Sequence, residues 1–545
     1  MINKIIKSFG WIWLVLSILI IFESFLSMFV SVLFKNLVDF AIDYDRNAVQ
    51  TWMVISIVTI LLNIVVSFLE LNLELFLLKK ITLKLKESLF QHFLNISVIE
   101  YNTEGSEKIL SIFSNDLKIL ERDYIKPIFV IIKNITLFLF SFILLFIWNS
   151  FFGFIVMLML LLMLIIPRIF SKKLNELKIE YLNTSETFIS KVKDFAEGKE
   201  VISLYNVNEF IRKKFIDINY DVENQNYYIS KFFGFYFLGN TFIGLLIVFL
   251  ILIIGSKFLL DRVITVGLLI ACIQLLNNIL SPVTNIANSI AQMSSSKNTL
   301  QKLNLLLVTT PKTKNTLPEN IETIKFENVT YEKNHLKILQ NVNMEICRGD
   351  KVALIGFSGS GKTSIINLLL KCAESYTGNI YINNVELRNL SENSWFEKVS
   401  YIAQSPYLFK FSINENIILG KNKANEDLLE ELGINALDVD GEYSDRTLSA
   451  GERHRICIAR ALCKAHQILL VDELETSLDK AMYTKILTSL FTEKSKTIIS
   501  ATHNISEESL SMYDKIFIIK KGRIVAGGNY QLIKNSIFFK ELSIP

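Results

Sequence analysis

Two stretches of this chain carry residue types and spacings that can do chemistry. Gly356-Phe357-Ser358-Gly359-Ser360-Gly361-Lys362-Thr363 fits Gly-x4-Gly-Lys-Ser/Thr, the pattern of a phosphate-binding loop. Glycines let the backbone curl with its N–H groups turned inward. A helix N-terminus adds partial positive charge, so a polyphosphate is held there favourably. In that arrangement Lys362 reaches the β- and γ-phosphates, Thr363 ligates Mg²⁺, and Ser364 carries the cradle into the helix. About a hundred residues later, Ile468-Leu469-Leu470-Val471-Asp472-Glu473 is an apolar run ending in two carboxylates. Asp472 suits the Mg²⁺ shell, and Glu473 suits orienting and polarising a water as general base. The chemistry expected is attack of water on the γ-phosphate of a nucleoside triphosphate.

These residues need a scaffold. Lys351–Ile355 (KVALI) reads as a short buried strand ahead of the loop, and Ser364–Leu370 (SIINLLL) as the first turns of a helix after it. Residues 324–331 alternate like a strand. Lys398–Ala403, Gln467–Val471, Lys496–Ser500 and Lys515–Ile519 are further short apolar runs, several alternating with helical stretches. That order predicts an α/β domain with a mostly parallel sheet over 321–545. Residues 306–320 (LLVTTPKTKNTLPEN) hold two prolines amid Thr and Lys and read as a linker.

The residues before the linker are of another kind. Of the 545 residues 51% are hydrophobic, and the mean hydropathy is +0.38, too apolar for an ordinary soluble protein. A membrane span needs about 20 apolar residues. Six candidates precede residue 290, at about 9–33, 52–76, 127–148, 151–170, 233–259 and 263–287. The basic start followed by so long an apolar run reads as a retained membrane helix. The link after the first span is mainly acidic (Asp39, Asp43, Asp45, Arg46), whereas 77–126 and 171–232 are rich in lysine. Lysine-rich loops stay cytoplasmic, so both termini are expected inside. The periodicity of Lys79–Lys86 predicts that spans two to five continue as helices into the cytoplasm. Glu23, Glu70, Asn134, Asn240, Gln274, Asn277 and Asn278 fall within spans. Such groups line cavities or bond between helices, and for Glu23 both roles stay open. A net charge of +4 points to no nucleic-acid partner. The five cysteines have no paired or metal-like spacing and read as reduced thiols.

Beyond the two catalytic stretches, Leu448-Ser449-Ala450-Gly451-Glu452-Arg453-His454-Arg455 resembles the Leu-Ser-Gly-Gly-Gln signature of the ABC (ATP-binding cassette) proteins. The resemblance implies that this loop closes over ATP held by another subunit, with Ser449 and Gly451 contacting the γ-phosphate. It implies adenine stacking by Tyr331 and a glutamine loop at Gln404 that joins Mg²⁺ to the membrane domain. It also implies a D-loop ending in Ser477-Leu478-Asp479, and a switch histidine, His503, on the γ-phosphate. Six spans followed by one such domain resemble an exporter-type half-transporter. Ser412–Ile417, Asp440-Gly441-Glu442 (an exporter X-loop) and the Tyr101–Gly105 and Ser114–Asp116 stretches (the first coupling region) agree with that layout.

The sequence departs from the family pattern at Ala450, Glu452 and Leu474-Glu475-Thr476, which bears on turnover more than on ATP binding. The implied organisation is a helical transmembrane domain over 1–305, the linker, and an ATP-binding domain over 321–545. The implied function is export of a peptide, drug or lipid across the cytoplasmic membrane. It uses ATP and Mg²⁺ and needs a second half-transporter, identical or different. No peptidase-like segment is seen before the first span, so cleavage of a leader peptide is not expected. The competing reading is a membrane-anchored ATPase that regulates or senses without moving solute. An importer is disfavoured by the fusion, and a soluble ABC ATPase by the spans.

Overall fold

The computed structural model describes residues 2–308, 317, 319–333, 335–373, 375–420, 426–434, 448–477 and 480–543. It separates into two compact units, one formed by Met1–Phe93 and Leu110–Thr309, the other by Leu94–Ile109 and Thr310–Pro545.

The first unit is helical. Five helices are long and apolar enough to cross a membrane: Gly10–Ile42, Arg46–Asn95, Lys108–Trp148, Asn208–Leu260 and Val266–Ser295. The expected span at 151–170 lies in the helix Ser150–Glu197, of which Ser150–Leu161 is a shorter apolar piece. The side chains of 162–172 are outside the described residues, so the structure supports five spans and does not establish the sixth. Asn149 caps that helix by accepting from the Phe152 N–H at 3.1 Å. Leu16, Ile20, Leu77, Ile81, Leu120 and Leu303 share one apolar core, and Leu145, Phe152, Ile247 and Leu275 another.

Lys133, within the expected third span, decides how the membrane glutamates are satisfied. Its ammonium lies 3.1 and 3.2 Å from the Glu70 carboxylate oxygens and 3.4 Å from Glu23. Ser67 donates to Glu23 at 3.3 Å. Three helices are thus pinned by one ion cluster, and Glu23 and Glu70 are both buried. An unpaired carboxylate would be costly at such depth, which is why the lysine is there.

The second unit is built on two sheets. A six-stranded sheet has the order β10-β9-β3-β8-β7-β6, with β3 Lys351–Ile355, β6 Val399–Ile402, β7 Ile468–Asp472, β8 Thr497–Ala501, β9 Lys515–Lys520 and β10 Arg523–Gly528. It is parallel except where β10 runs against β9. β3, β7 and β8 are buried at every position, as a sheet covered on both faces requires. The second sheet is antiparallel, in the order β2-β1-β4-β5, with β1 Thr323–Lys333, β2 Leu336–Cys347, β4 Tyr376–Ile382 and β5 Val385–Glu386.

Leu94–Ile109 joins this second unit although it interrupts the membrane half in sequence. The Val98 N–H donates to Glu392 at 3.2 Å, and the Asn102 amide donates to the Cys372 carbonyl at 3.3 Å. The side chains of Thr103 and Glu104 are outside the described residues. Gly105, at φ +75°, breaks the helix Val98–Ser111. Asp116, further along, pairs with Lys302 at 2.5 Å within the first unit.

Candidate active site

The site forms where parallel strands end together. Register pairs Leu354 with Ala501, Asp472 with Ala501 and Ile402 with Val471. The loop after β3, the turn after β7, the segment after β8 and the residues after β6 therefore emerge at one edge, which is where α/β sheets bind ligands.

Lys351–Ile355 is a strand, and Lys362–Leu369 is the helix that follows the loop. Gly361, at φ +110°, precedes that helix, and a Cβ on it would lie 2.7 Å from Leu339. A Cβ on Gly356 would lie 2.3 Å from the Ile519 carbonyl oxygen. Backbone thus leaves no room for a side chain at Gly356, and the left-handed backbone disfavours one at Gly361. Phe357, Ser358 and Gly359 form the exposed crown of the loop, and Ser360 is buried, its carbonyl accepting from the Gly522 N–H at 3.0 Å.

The charged residues make one connected cluster. The Lys362 ammonium donates to the Gly356 carbonyl at 2.9 Å and lies 3.2 Å from His503 Nε2. His503 Nε2 lies 3.0 Å from Glu473 Oε1, and Gln404 Nε2 donates to Glu473 Oε2 at 2.6 Å. Thr363 Oγ1 donates to Asp472 Oδ1 at 3.0 Å. A single imidazole nitrogen thus sits between an ammonium and a carboxylate. As an acceptor it takes a proton-bearing bond from Lys362, and as an N–H it donates to Glu473.

Burial lowers the Lys362 pKa against the pull of Glu473, Asp472 and Glu475. Burial raises that of Asp472, against the Thr363 hydrogen bond and Lys362. One ammonium among three carboxylates leaves an excess of negative charge, and the Thr363–Asp472 pair offers hard oxygen donors, so the residues fit Mg²⁺. Among the described residues no group of three His, Cys, Asp or Glu can hold a metal alone. A cation here would take the rest of its shell from water, phosphate or other protein oxygens.

The other expected residues lie apart from the cluster. Tyr331 is on β1, in register with Leu339 and Tyr376 and packed against the core. Ser449 and Gly451 open the helix Ala450–Cys463, and among the described residues no hydrogen bond joins them to the loop. Ser449 caps that helix in a reciprocal capping box: it accepts from the Glu452 N–H at 3.3 Å, while its own N–H donates to the Glu452 carboxylate at 2.7 Å. Asp440-Gly441-Glu442 and Leu478-Asp479 lie outside the described residues. Sequence reasoning gave no role to Glu475, whose carboxylate accepts from Thr502 and His503. Its signal was the departure at Leu474-Glu475-Thr476.

Both regions of the chain match known proteins. The family model described as ABC transporter matches residues 339–476, and that described as ABC transporter transmembrane region matches residues 13–283. An export ATP-binding/permease protein of Rickettsia typhi is 27% identical, covering 96% of each chain. The lactococcin-A transport/processing ATP-binding protein of Lactococcus lactis is 25% identical over 96% of this chain and 76% of its own. Among solved structures, a bacterial Atm1-family ABC exporter with ATP bound superposes with a TM-score of 0.82, at 17% identity, covering 97% of both chains.

Proposed function

The chain belongs to the ABC transporters, with membrane and ATP-binding regions on one polypeptide, and on that premise we propose that it is half of an ATP-driven exporter of the cytoplasmic membrane. In this reading residues 1–305 form the membrane domain, 306–320 the linker and 321–545 the ATP-binding domain, with both termini in the cytoplasm. Two chains, alike or different, enclose two ATP molecules. Each nucleotide lies on Gly356–Ser364 of one chain and under Ser449 and Gly451 of the other. The observation that carries the reading is the unbroken cluster Lys362–His503–Glu473–Gln404 beside Thr363–Asp472.

Each residue then has a task. Backbone N–H groups of the loop and Lys362 bind the phosphates, and Tyr331 stacks on adenine. Mg²⁺, held by Thr363, Asp472 and Gln404, would neutralise charge on the β- and γ-phosphate oxygens. Glu473 takes the proton of the attacking water, oriented through its bonds to Gln404 and His503. His503 places its imidazole against the γ-phosphate. ATP closure draws the two ATP-binding domains together, and hydrolysis releases them.

The lactococcin relative supports a peptide as the first substrate to test, ahead of drugs or lipids. The test uses purified wild-type and Glu473→Gln chains in sealed vesicles with a labelled bacteriocin-class peptide. Wild type should hydrolyse ATP and accumulate peptide in an ATP-dependent way. Glu473→Gln should bind ATP but hydrolyse it at least about 100-fold more slowly, as for loss of a general base. Near-normal hydrolysis by the variant overturns the role of Glu473. Turnover without flux of peptide, drug or lipid probes overturns export in favour of a regulatory ATPase.

A further inference from the structure

The turn after β7 holds an acid that the reaction above does not use. Glu475 lies in the 3-10 turn Leu474–Ser477. Its Oε1 accepts from Thr502 Oγ1 at 2.8 Å and from the backbone N–H of His503 at 2.5 Å. Thr502 is fully buried, and its hydroxyl oxygen accepts from the Asn504 N–H at 3.0 Å. Three successive residues leaving β8 therefore hang, directly or through one hydroxyl, on a single carboxylate.

The sheet does not do this by itself. Strand pairing between β7 and β8 ends at Asp472 and Ala501; the Thr502 N–H still donates to the Leu354 carbonyl of β3 at 3.1 Å, and His503 lies beyond that bond. Two hydrogen bonds converging on one side-chain oxygen fix the His503 backbone where the strand no longer can. The imidazole has little latitude, since Nε2 must meet Lys362 at 3.2 Å and Glu473 at 3.0 Å.

We propose that Glu475 is a positioning residue for ATP hydrolysis, holding the His503 backbone so that its imidazole meets Glu473 and Lys362. The inference rests on the reading of His503 and Glu473 as hydrolytic partners. Glu475 acts through the backbone and not on phosphate. Among the described residues its hydrogen bonds go to Thr502 and His503, and an amide oxygen at the same place can accept both.

The experiment compares steady-state MgATP hydrolysis by full-length wild type, Glu475→Ala, Glu475→Gln, His503→Ala and the Glu475→Ala/His503→Ala double variant. Misplacing a reacting group by about 1 Å costs on the order of 100-fold in rate, and loosening it should cost Glu475→Ala at least about tenfold in kcat. KM for ATP should stay within about twofold and Glu475→Gln should keep kcat within about threefold, because phosphate binding and the acceptor are both retained. The double variant should be no slower than His503→Ala, since the two residues act as one unit. Glu475→Ala with kcat within twofold of wild type overturns the proposal. So does an equal loss in the Gln and Ala variants, which would assign the effect to charge. So does a loss confined to KM. A wild-type chain that neither binds nor hydrolyses MgATP, or His503→Ala with full turnover, instead overturns the underlying site reading.

Discussion

Glu473 takes φ +51°, a left-handed conformation that costs a non-glycine residue about 1 kcal/mol or more. The cost has a use. Successive strand side chains point to opposite faces, so a straight continuation of β7 would send Asp472 and Glu473 apart. The left-handed step, held by the Glu473 N–H donating to the Ala501 carbonyl at 2.9 Å, turns both carboxylates into one site. At the same scale, His454 and His466 are buried, and burial is the first cause lowering both pKa values. Each therefore binds a proton more readily in the unfolded chain. Their contribution is whole above the unfolded value of ~6.5 and is lost as pH falls toward the depressed folded values, at no more than ~1.4 kcal/mol per pH unit each. Urea unfolding of the full-length chain should show stability dropping as pH falls below about 6.5, with a shallower fall in His454→Gln or His466→Gln. Parallel slopes in variant and wild type would refute the assignment.

At the scale of elements, the helix after the phosphate loop depends on a neighbour distant in sequence. Trp395, on the helix Glu392–Lys398, is fully buried, and its indole N–H donates to the Leu369 carbonyl at 2.7 Å, satisfying the last turn of Lys362–Leu369. Trp395→Ala should destabilise the ATPase half by about 3–5 kcal/mol. Trp395→Phe should cost about 1–3 kcal/mol through the orphaned carbonyl. Equal unfolding midpoints for wild type and Trp395→Phe would show the hydrogen bond to be idle. The strand and helix around the loop were legible because KVALI and SIINLLL are continuous apolar runs next to glycines. β2 was not, although Val342, Met344 and Ile346 alternate with Asn341, Asn343 and Glu345. Its asparagines and charges resemble a loop until the antiparallel partner is known. β4 was hidden by Gly378, whose left-handed backbone at φ +82° lies beside Asn328 on β1.

At the scale of the whole molecule, the order of membrane region, linker and ATP-binding region could be read because hydropathy changes sharply near residue 306. The ion cluster of Glu23, Glu70 and Lys133 could not. The two acids stood out in the sequence, whereas the lysine that satisfies them lies in another helix, and pairing across helices leaves no local signal. The same holds for the catalytic cluster, whose motifs could be recognised singly. The contacts from His503 to Lys362 and Glu473, and from Glu475 to His503, exist only once β3, β7 and β8 lie side by side.

The short stretch Leu94–Ile109 gives this organisation a practical edge. A polypeptide starting at residue 310 would be born without part of its own compact unit. It would expose Glu392 and the Cys372 carbonyl, where Val98 and Asn102 normally dock. A synthetic peptide spanning 94–109 should therefore bind such a fragment saturably and slow its digestion by trypsin, and the same peptide carrying Asn102→Ala should do so less well. Indifference of the fragment to the peptide would place that stretch elsewhere. Protection would mean that severing the gene at the linker cannot yield two self-sufficient products, because one of them carries a missing piece of the other.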